Sequence, residues 1–251
     1  MKDHSAEDVS RVRAVAGSLP DPRAPLPVGD DKRAAVRSMF DTIAPRYDLV
    51  NRIMTFGLDV RWRRRAVREL DLPVGATVLD LACGTGDFCE DLRRAGLGPI
   101  GVDLSFGMLA AAPTAAPLLQ ADITRLPAPD QAADGLTCGF ALRNLVDLDA
   151  FFAEAARVLR PGGRLAVLEV AEPEHTILRA GHGVYFNRVV PLVGGLLSNR
   201  AAYRYLPRSV DYLPETTDLL TRLAAPGFQQ VQRWLLGGGA AQLLTATRSR
   251  P

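Results

Sequence analysis

The chain has 251 residues, a formal net charge of +2 and 47% hydrophobic residues, which is typical of one globular domain with short additions. This charge argues neither for nor against a nucleic-acid partner, whereas the lack of an apolar run of roughly 18 residues excludes a membrane-spanning helix. The three cysteines, Cys83, Cys89 and Cys138, are odd in number and lack metal-ligand spacing. We therefore interpret them as reduced thiols of a cytoplasmic protein that holds no metal.

The N-terminal quarter of the chain divides into two parts. Residues 1–30 are rich in charge, proline and glycine, so we expect a flexible arm there. Residues 31–251 are predicted to form a single domain, which opens with a helical lid over residues 31–70. Apolar residues in this lid recur at helical spacing up to Pro45, and we predict one or two helices before the first strand.

The strand that begins at Thr77 leads into a Gly-Thr-Gly turn at residues 84–86 and then into a helix. A buried strand, a tight glycine turn and a helix in this order form a site for a nucleotide cofactor. Asp80 and Asp87 flank the turn, and carboxylates there suit a positively charged cofactor better than a pyrophosphate. S-adenosyl-L-methionine has an ammonium and a sulfonium but no phosphate, so we predict it as the cofactor.

The next two predicted strands, over residues 99–104 and 117–122, also end in acidic residues. The carboxyl ends of neighbouring parallel strands meet at one edge of the sheet. The carboxylate of Asp103 can accept hydrogen bonds from both hydroxyls of a ribose; the alternative is an acid that caps the following helix. Asp122 can accept from an adenine amino group, and the Ile123 amide can donate to a ring nitrogen.

The remaining pattern completes the fold prediction. Strands and helices alternate at lengths that imply a parallel, doubly wound α/β sheet, and three glycines at 237–239 separate the last two strands, which implies a C-terminal antiparallel hairpin. We therefore predict a mostly parallel seven-stranded sheet with this hairpin and the helical lid. The other helices are predicted at 88–94, 106–112, 147–159 and 215–224, and the other strands at 134–140, 164–170, 228–236 and 240–247.

Several motifs resemble one enzyme family. The order of elements is similar to that of class I S-adenosylmethionine-dependent methyltransferases, and residues 36–238 resemble the ubiquinone/menaquinone biosynthesis C-methyltransferase family. The most specific matches are residues 39–48 (Met-Phe-Asp-Thr-Ile-Ala-Pro-Arg-Tyr-Asp) and 140–144 (Phe-Ala-Leu-Arg-Asn). The resemblance implies methylation of a ring carbon on a polyprenylated quinol, with demethylmenaquinol as the expected acceptor. Together with the contacts that the family implies, the predicted cofactor-binding residues are Asp80, Gly84, Thr85, Gly86, Asp103, Leu104, Asp122, Ile123 and Gly139.

Other acceptors are not excluded by the sequence. Gly139 stands where the family usually has serine, and residues 169–173 also depart from its pattern. The alternative is therefore a secondary-metabolite C- or O-methyltransferase that acts on another aromatic or isoprenoid acceptor. The arginine-rich run at residues 61–65 suits lipid headgroups, RNA phosphates or the solvated face of a helix. We predict no nucleic-acid partner because the chain carries no added nucleic-acid module.

Two residues are proposed as catalytic. A free phenol titrates at about 10, so a quinol needs a base or a cationic neighbour, and Arg143 follows the fourth strand at the edge of the predicted sheet. We expect Arg143 to stabilise a developing phenolate and Tyr47 of the lid to orient the ring. The alternatives are an ion pair of Arg143 with Asp147 or Asp48, and simple lid packing for Tyr47.

Residues 174–212 break the rhythm of strands and helices and are predicted to form a helical cap. Its segment 184–199 is strongly apolar with a single charge, Arg188. We interpret this segment as a cover for a prenyl tail and as a surface that contacts lipid. The alternatives are a cap helix buried on the domain and a contact in a homodimer. Peripheral membrane association of a cytoplasmic protein is thus one interpretation of this segment.

Overall fold

The computed structural model describes residues 28–176, 183, 185 and 208–250. The predicted arm lies outside the described residues except for its last three positions, and so does most of the predicted cap, including segment 184–199 apart from Tyr185. The division into arm, lid and cap and the homodimer contact therefore stay predictions. Within the described ranges, no helix is long and apolar enough to cross a membrane.

Among the described residues, three helices precede the sheet, whereas the sequence predicts one or two. Pro45 falls in a 3-10 turn after the first helix, as expected for a residue without an N–H to donate. A second break, absent from the sequence prediction, occurs where Phe56 and Gly57 both have positive φ, 52° and 70°. The helices are α1 (Gly29–Ile43), α2 (Tyr47–Met54) and α3 (Leu58–Leu70).

Seven strands and four further helices follow this lid in the described parts of the chain. The strands are β1 (Thr77–Leu81), β2 (Gly98–Asp103), β3 (Leu118–Gln120), β4 (Ala133–Gly139), β5 (Leu159–Val170), β6 (Phe228–Leu236) and β7 (Ala241–Arg248). The helices are α4 (Asp87–Arg94), α5 (Phe106–Ala111), α6 (Leu148–Val158) and α7 (Thr216–Ala224).

The strands form one sheet in the order β3-β2-β1-β4-β5-β7-β6. β1 to β5 run parallel to one another, and β7 is antiparallel to both β5 and β6. The predicted fold class, the seven strands and the terminal hairpin are therefore confirmed. In this arrangement the loops after β1 to β4 all lie at the carboxyl edge of the parallel strands.

Two strands differ from the prediction by more than one residue at a boundary. β5 begins at Leu159 rather than Arg164, because Leu159 already pairs with Ala133 and a register shift absorbs the Pro-Gly-Gly sequence that follows. β3 covers three residues rather than six. Asp122 consequently lies in a turn beyond the strand, where the alternation of a strand does not direct its side chain to one face of the sheet.

Helices cover both faces of the sheet. On one face, α6 and α7 contribute Phe151, Phe152 and Leu223 to a fully buried cluster. On the other face, α3 and α4 contribute Trp62 and Leu92. Because both faces are buried, the central strands appear in the sequence as apolar runs without alternation.

Phe152 provides a test of this core. It is fully buried, so Phe152→Ala is expected to lower the free energy of unfolding by about 3–5 kcal/mol. The matched control is Phe106→Ala in α5, because Phe106 is 63% exposed and its truncation should cost less than about 0.5 kcal/mol. Urea denaturation measures both values, and equal losses would contradict the assigned core.

Candidate active site

Two adjoining cavities lie at the carboxyl edge of the parallel strands. The first, called the large cavity, has a volume of about 270 Å³, and the second, called the small cavity, has a volume of about 110 Å³. The lid helices bound both cavities on one side, and the loops after β1 and β4 bound them on the other. The two cavities form one bipartite site because they share the lining residues Tyr47, Ala82, Gly84, Gly139 and Phe140.

The small cavity contains Asp103 at the end of β2. Its Oδ2 accepts a hydrogen bond from the Gly84 N–H and its Oδ1 accepts one from the Ser105 N–H, both at 2.8 Å. Burial raises the pKa of Asp103, and these backbone donors oppose that rise. Each oxygen keeps a lone pair for a hydroxyl donor. The capping alternative for Asp103 is wrong, since Ser105 caps α5 by accepting from the Met108 N–H.

The turn after β3 forms another part of the small cavity, together with Leu104. Asp122 Oδ1 accepts from the N–H and the hydroxyl of Thr124, at 2.9 Å and 2.7 Å. Asp122 Oδ2 lies 3.5 Å from Arg33 Nε of α1. The Ile123 N–H has no acceptor within the described part of the chain. A carboxylate acceptor and an N–H donor are therefore adjacent in this turn, as an adenine amino group and ring nitrogen require.

The residues of the glycine turn contribute in different ways. Gly84 has a φ of +55° and lines both cavities, and a Cβ there would meet only one atom, at 4.0 Å. Its backbone therefore borders open space. Thr85 lines the large cavity and its hydroxyl donates to Asp48 of α2. Gly86 lines neither cavity; a Cβ there would lie 2.8 Å from Thr114 Cγ2, so packing requires this glycine.

Asp80 in β1 is buried in the wall of the large cavity. Its Oδ1 accepts from the Thr137 hydroxyl at 2.8 Å, and its Oδ2 accepts from the Cys89 thiol at 3.5 Å. Neither partner is charged, so burial dominates and raises the pKa of Asp80 to about 7. This carboxyl consequently titrates near neutral pH.

Asp87 has an arginine partner that the sequence does not predict. Arg63 of α3 lies 2.9 Å from Asp87, 2.7 Å from Asp59 and 3.1 Å from Asp91. This cluster joins α3 to α4, and Arg63 partly offsets the charge of Asp87 that the sequence assigns to the cofactor. The spacing of Asp59 and Arg63, four residues apart, is the one signal for the cluster in the sequence.

The arginine run at residues 61–65 does not form one exposed basic face. Trp62 and Arg63 are buried, and Arg65 forms an ion pair with Glu69. Arg64 is exposed but pairs with the Asp91 carboxylate at 3.6 Å. Arg61 of this run is exposed as well, so the interpretations as a surface for lipid headgroups, RNA phosphates or solvent stay predictions.

Arg143 lines the large cavity and has two buried partners. Its Nη1 donates to Glu169 of β5, and its Nε donates to Ser209 Oγ at 3.2 Å. The ion pair predicted as an alternative therefore exists, but with Glu169. Asp147 instead caps α6, and Asp48 binds the glycine turn. The Nη2 of Arg143 has no partner among the described residues, so it remains a donor for a ligand.

Tyr47 and Gly139 border both cavities. Burial raises the pKa of Tyr47, and a hydrogen bond with Asn51 partly offsets that rise. The phenol is therefore neutral near neutral pH and acts as a hydrogen-bond donor. At Gly139, a Cβ would lie 2.8 Å from Phe88 Cε2, which explains sterically why glycine replaces the usual serine.

Residues 28–248 match the model of the ubiE/COQ5 methyltransferase family. The chain belongs to this family. This ubiE/COQ5-family methyltransferase is similar to the demethylmenaquinone methyltransferase of Thermus thermophilus, with 45% identity over 213 residues that cover 81% of this chain and 97% of the relative. It is also similar to the ubiquinone/menaquinone biosynthesis C-methyltransferase UbiE of Syntrophotalea carbinolica, with 42% identity over 224 residues, 86% of this chain and 94% of the relative.

Solved structures share the fold of this ubiE/COQ5-family methyltransferase at low identity. A methyltransferase of Thermotoga maritima, described as a possible histamine N-methyltransferase, has a TM-score of 0.60 and 20% identity, with 85% of this chain and 99% of that chain covered. The [4+2]-cyclase SpnF has a TM-score of 0.62 and 18% identity, with 91% and 100% covered. At these identities the likeness shows the fold alone.

The bipartite site of this ubiE/COQ5-family methyltransferase fits S-adenosylmethionine, on which the enzyme depends. The small cavity offers carboxylate acceptors and the unpaired Ile123 N–H, which suit a nucleoside. The Gly84 backbone borders open space between the two cavities. The large cavity has more acids than bases in its wall, which suits an ammonium and a sulfonium; the acids are Asp48, Asp59, Asp80 and Asp87, and the bases are Arg63 and Arg143.

Replacement of Asp80 by Asn tests the burial of this carboxyl. Because burial raises the pKa of Asp80 to about 7, the folded protein binds more protons than the unfolded chain between about pH 4 and pH 7. The proton on Asp80 therefore stabilises the folded protein. This contribution is fully present below about pH 4 and is lost as the pH rises through the pKa that Asp80 has in the folded state. Relative to Asp80→Asn, the wild type should therefore lose on the order of 3 kcal/mol of unfolding free energy by about pH 8.

Urea denaturation of both proteins across this pH range measures the difference. The comparison between them removes the contribution of every other titrating group. A difference that does not change with pH would contradict the assignment of Asp80 as a buried carboxyl that ionises near neutral pH.

Proposed function

We propose that the protein transfers the methyl group of S-adenosylmethionine to a ring carbon of a polyprenylated quinol, with demethylmenaquinol as the acceptor. The names of the two relatives, which refer to demethylmenaquinone and to ubiquinone and menaquinone, support this acceptor. The observation that carries the proposal is the wall of the large cavity. Part of this wall is apolar and is formed by Met54, Phe56, Leu58, Trp62 and Phe140. An aromatic ring with an apolar tail requires an apolar wall of this kind.

In this proposal the small cavity binds the nucleoside. Asp103 accepts from the ribose hydroxyls, Asp122 accepts from the adenine amino group, and the Ile123 N–H donates to a ring nitrogen. S-adenosylmethionine, when bound, supplies a methyl group made electrophilic by a sulfonium. The residues that line both cavities, Tyr47 and Gly84 among them, form the junction between the nucleoside and the acceptor, and the lid excludes water there.

Arg143 and Tyr47 prepare the acceptor. The ring carbon becomes nucleophilic as the neighbouring hydroxyl, with a pKa of about 10 in free phenols, loses its proton. The Nη2 of Arg143 donates to the phenolate oxygen, while Glu169 and Ser209 hold the guanidinium in place. Tyr47, a neutral phenol, orients the ring by donating a hydrogen bond. The ring carbon bonds to the methyl group as the methyl–sulfur bond breaks, with that electron pair left on sulfur in S-adenosylhomocysteine, and the ring carbon then releases its own proton to solvent, which restores the aromatic ring.

Arg143→Lys tests this role while it keeps a positive charge beside Glu169. Lysine lacks the planar fork that reaches two acceptors and a ligand at once, so kcat is expected to fall about 10²-fold. The affinity for S-adenosylhomocysteine should change far less than kcat, because Arg143 does not line the small cavity that binds the nucleoside. Initial rates with a short-chain demethylmenaquinol and calorimetric titrations measure the two quantities.

The matched control for Arg143 is Arg157→Lys. Arg157 also pairs with carboxylates, Asp130 and Glu154, but lies outside both cavities. Its replacement should leave kcat within about twofold of wild type. A wild-type kcat in Arg143→Lys would contradict the proposal that Arg143 stabilises the phenolate.

A panel of acceptors tests the proposed substrate. The purified protein, supplied with methyl-labelled S-adenosylmethionine, is expected to label a short-chain demethylmenaquinol and to leave a catechol and a mixture of tRNAs unlabelled. Label on the catechol with none on the quinol would overturn the proposal in favour of the secondary-metabolite alternative. Label on tRNA would overturn it in favour of an RNA methyltransferase.

We also infer that the mouth of the large cavity contacts a membrane surface. Leu49 and Ile53, one turn apart on α2, are 58% and 43% exposed, and Phe56 after α2 is 77% exposed and lines the cavity. Arg46 and Arg52 are exposed beside them. Apolar side chains flanked by basic ones are typical of a helix that lies in a membrane interface, and a prenylated acceptor is dissolved in lipid.

The double variant Leu49→Ser/Ile53→Ser tests this contact. It is expected to weaken binding to vesicles of phosphatidylcholine and phosphatidylglycerol by about tenfold or more, since two aliphatic side chains no longer enter the interface. Turnover of a short-chain quinol should not change, because neither residue lines a cavity.

The control for the membrane contact is Val74→Ser/Leu119→Ser. These residues are 83% and 41% exposed but lie outside both cavities, so vesicle flotation should be unaffected. Failure of the wild type to float, or equal losses in both double variants, would contradict a membrane contact at α2.

A further inference from the structure

The lid helices α1 and α2 make a polar contact with the loop after each of the first four strands. Each contact uses a charged side chain of the lid, and together they reach the loops after β1 to β4. The contacts are Asp48 with Thr85 after β1, Asp41 with Ser105 after β2, Arg33 with Asp122 after β3, and Lys32 with the Leu145 carbonyl after β4.

The contact made by Asp41 continues into the small cavity. Asp41 Oδ1 accepts from the Ser105 hydroxyl at 2.6 Å and from the Gly107 N–H at 2.9 Å. The Ser105 N–H donates to Asp103 Oδ1, and Asp103 Oδ2 accepts from the Gly84 N–H, both at 2.8 Å. A chain of hydrogen bonds therefore runs from the lid, through Ser105, to the acid of the small cavity and on to the glycine turn.

Gly107 is the residue that permits this close contact. A Cβ at position 107 would lie 2.9 Å from Asp41 Cα and 3.1 Å from the Asp41 carbonyl oxygen. Both atoms belong to the backbone of α1, so they cannot move aside as a flexible side chain does. Any larger residue at 107 therefore displaces α1 from α5 and lengthens the bonds to Asp41.

We propose that Asp41 is a positioning residue for cofactor binding. It lines neither cavity and acts through Ser105, which it holds in the orientation that supports Asp103. The proposal rests on Asp103 as the ribose-binding acid of the proposed function, but not on the identity of the methyl acceptor. Because linkage between two binding equilibria is reciprocal, a cofactor that orders the Asp103 loop also strengthens the docking of α1.

Calorimetric titration of the full chain with S-adenosylhomocysteine tests the proposal. Asp41→Ala removes the acceptor of two hydrogen bonds and is expected to weaken binding by about tenfold or more. Asp41→Asn retains Oδ1 and should bind within about threefold of wild type. The matched control is Asp31→Ala, an exposed acid on the same helix and outside both cavities, which should bind like wild type.

Hydrogen–deuterium exchange provides a second readout, which does not require the methyl acceptor. S-adenosylhomocysteine should slow exchange over residues 29–43 in the wild type, and this protection should be lost in Asp41→Ala. Gly107→Ala disturbs the same contact from the side of the loop. It should weaken the binding of S-adenosylhomocysteine although Asp41 is unchanged. In steady-state assays the KM for S-adenosylmethionine should rise about tenfold in both variants, with kcat at saturation unchanged.

Wild-type affinity in Asp41→Ala or in Gly107→Ala would overturn the proposal. Equal losses in Asp41→Ala and Asp41→Asn would also overturn it, because they would assign the effect to charge and not to the two hydrogen bonds. If these binding results hold while no quinol is methylated, the acceptor of the proposed function is wrong and the role of Asp41 stands.

Discussion

The four parallel strands β1 to β4 end at one edge, and the polar loops at that edge need a cover. The lid provides it through charged side chains that bind every loop, supported by a small apolar cluster of Met39, Ile43, Val50 and Met108. Both cavities exist only because the lid lies over these loops. The fold therefore joins two tasks in one interface, since the contacts that hold the lid also order the loops that bind a ligand.

The two buried arginines of the large cavity are paired with acids, whereas the buried carboxyl of Asp80 is hydrogen-bonded to neutral groups. Arg63 is surrounded by three aspartates, and Arg143 pairs with Glu169. Among the described residues, the hydrogen-bond partners of Asp80 are a hydroxyl and a thiol, so no cation is bonded to its ionised form and burial raises its pKa. A positively charged ligand in the large cavity supplies what this carboxylate lacks, which is the electrostatic reason for a sulfonium cofactor here.

The sequence predicts the parts of this protein that depend on local patterns. The strand, glycine turn and helix around Gly84 are contiguous, and the acids Asp103 and Asp122 follow apolar runs, so the doubly wound sheet and the acids at its carboxyl edge can be inferred. What the sequence misses depends on distant partners. Arg63 meets Asp91 28 residues later, and Arg143 meets Glu169 26 residues later. Neither pair has a spacing that a local pattern reveals.

The glycines show the same limit of local patterns. Gly84 and Gly86 look equivalent in the turn, yet Gly84 borders the cavities and Gly86 packs against Thr114. The break at Phe56 is likewise hidden, because a phenylalanine at positive φ runs against its intrinsic preference. Backbone hydrogen bonds of this turn, from the Phe56 N–H to the Ile53 carbonyl and from the Gly57 N–H to the Arg52 carbonyl, stabilise that conformation.

Gly139 and Phe88 restrict how this site can change over evolutionary time. A Cβ at 139 would lie 2.8 Å from the Phe88 ring, so a larger residue at 139 alone produces a steric overlap. A smaller residue at 88 alone leaves a void between β4 and α4, which also lowers stability. Only the two exchanges together conserve volume. The positions are therefore epistatic, and the route from this glycine to a polar side chain at the junction passes through a less stable single mutant.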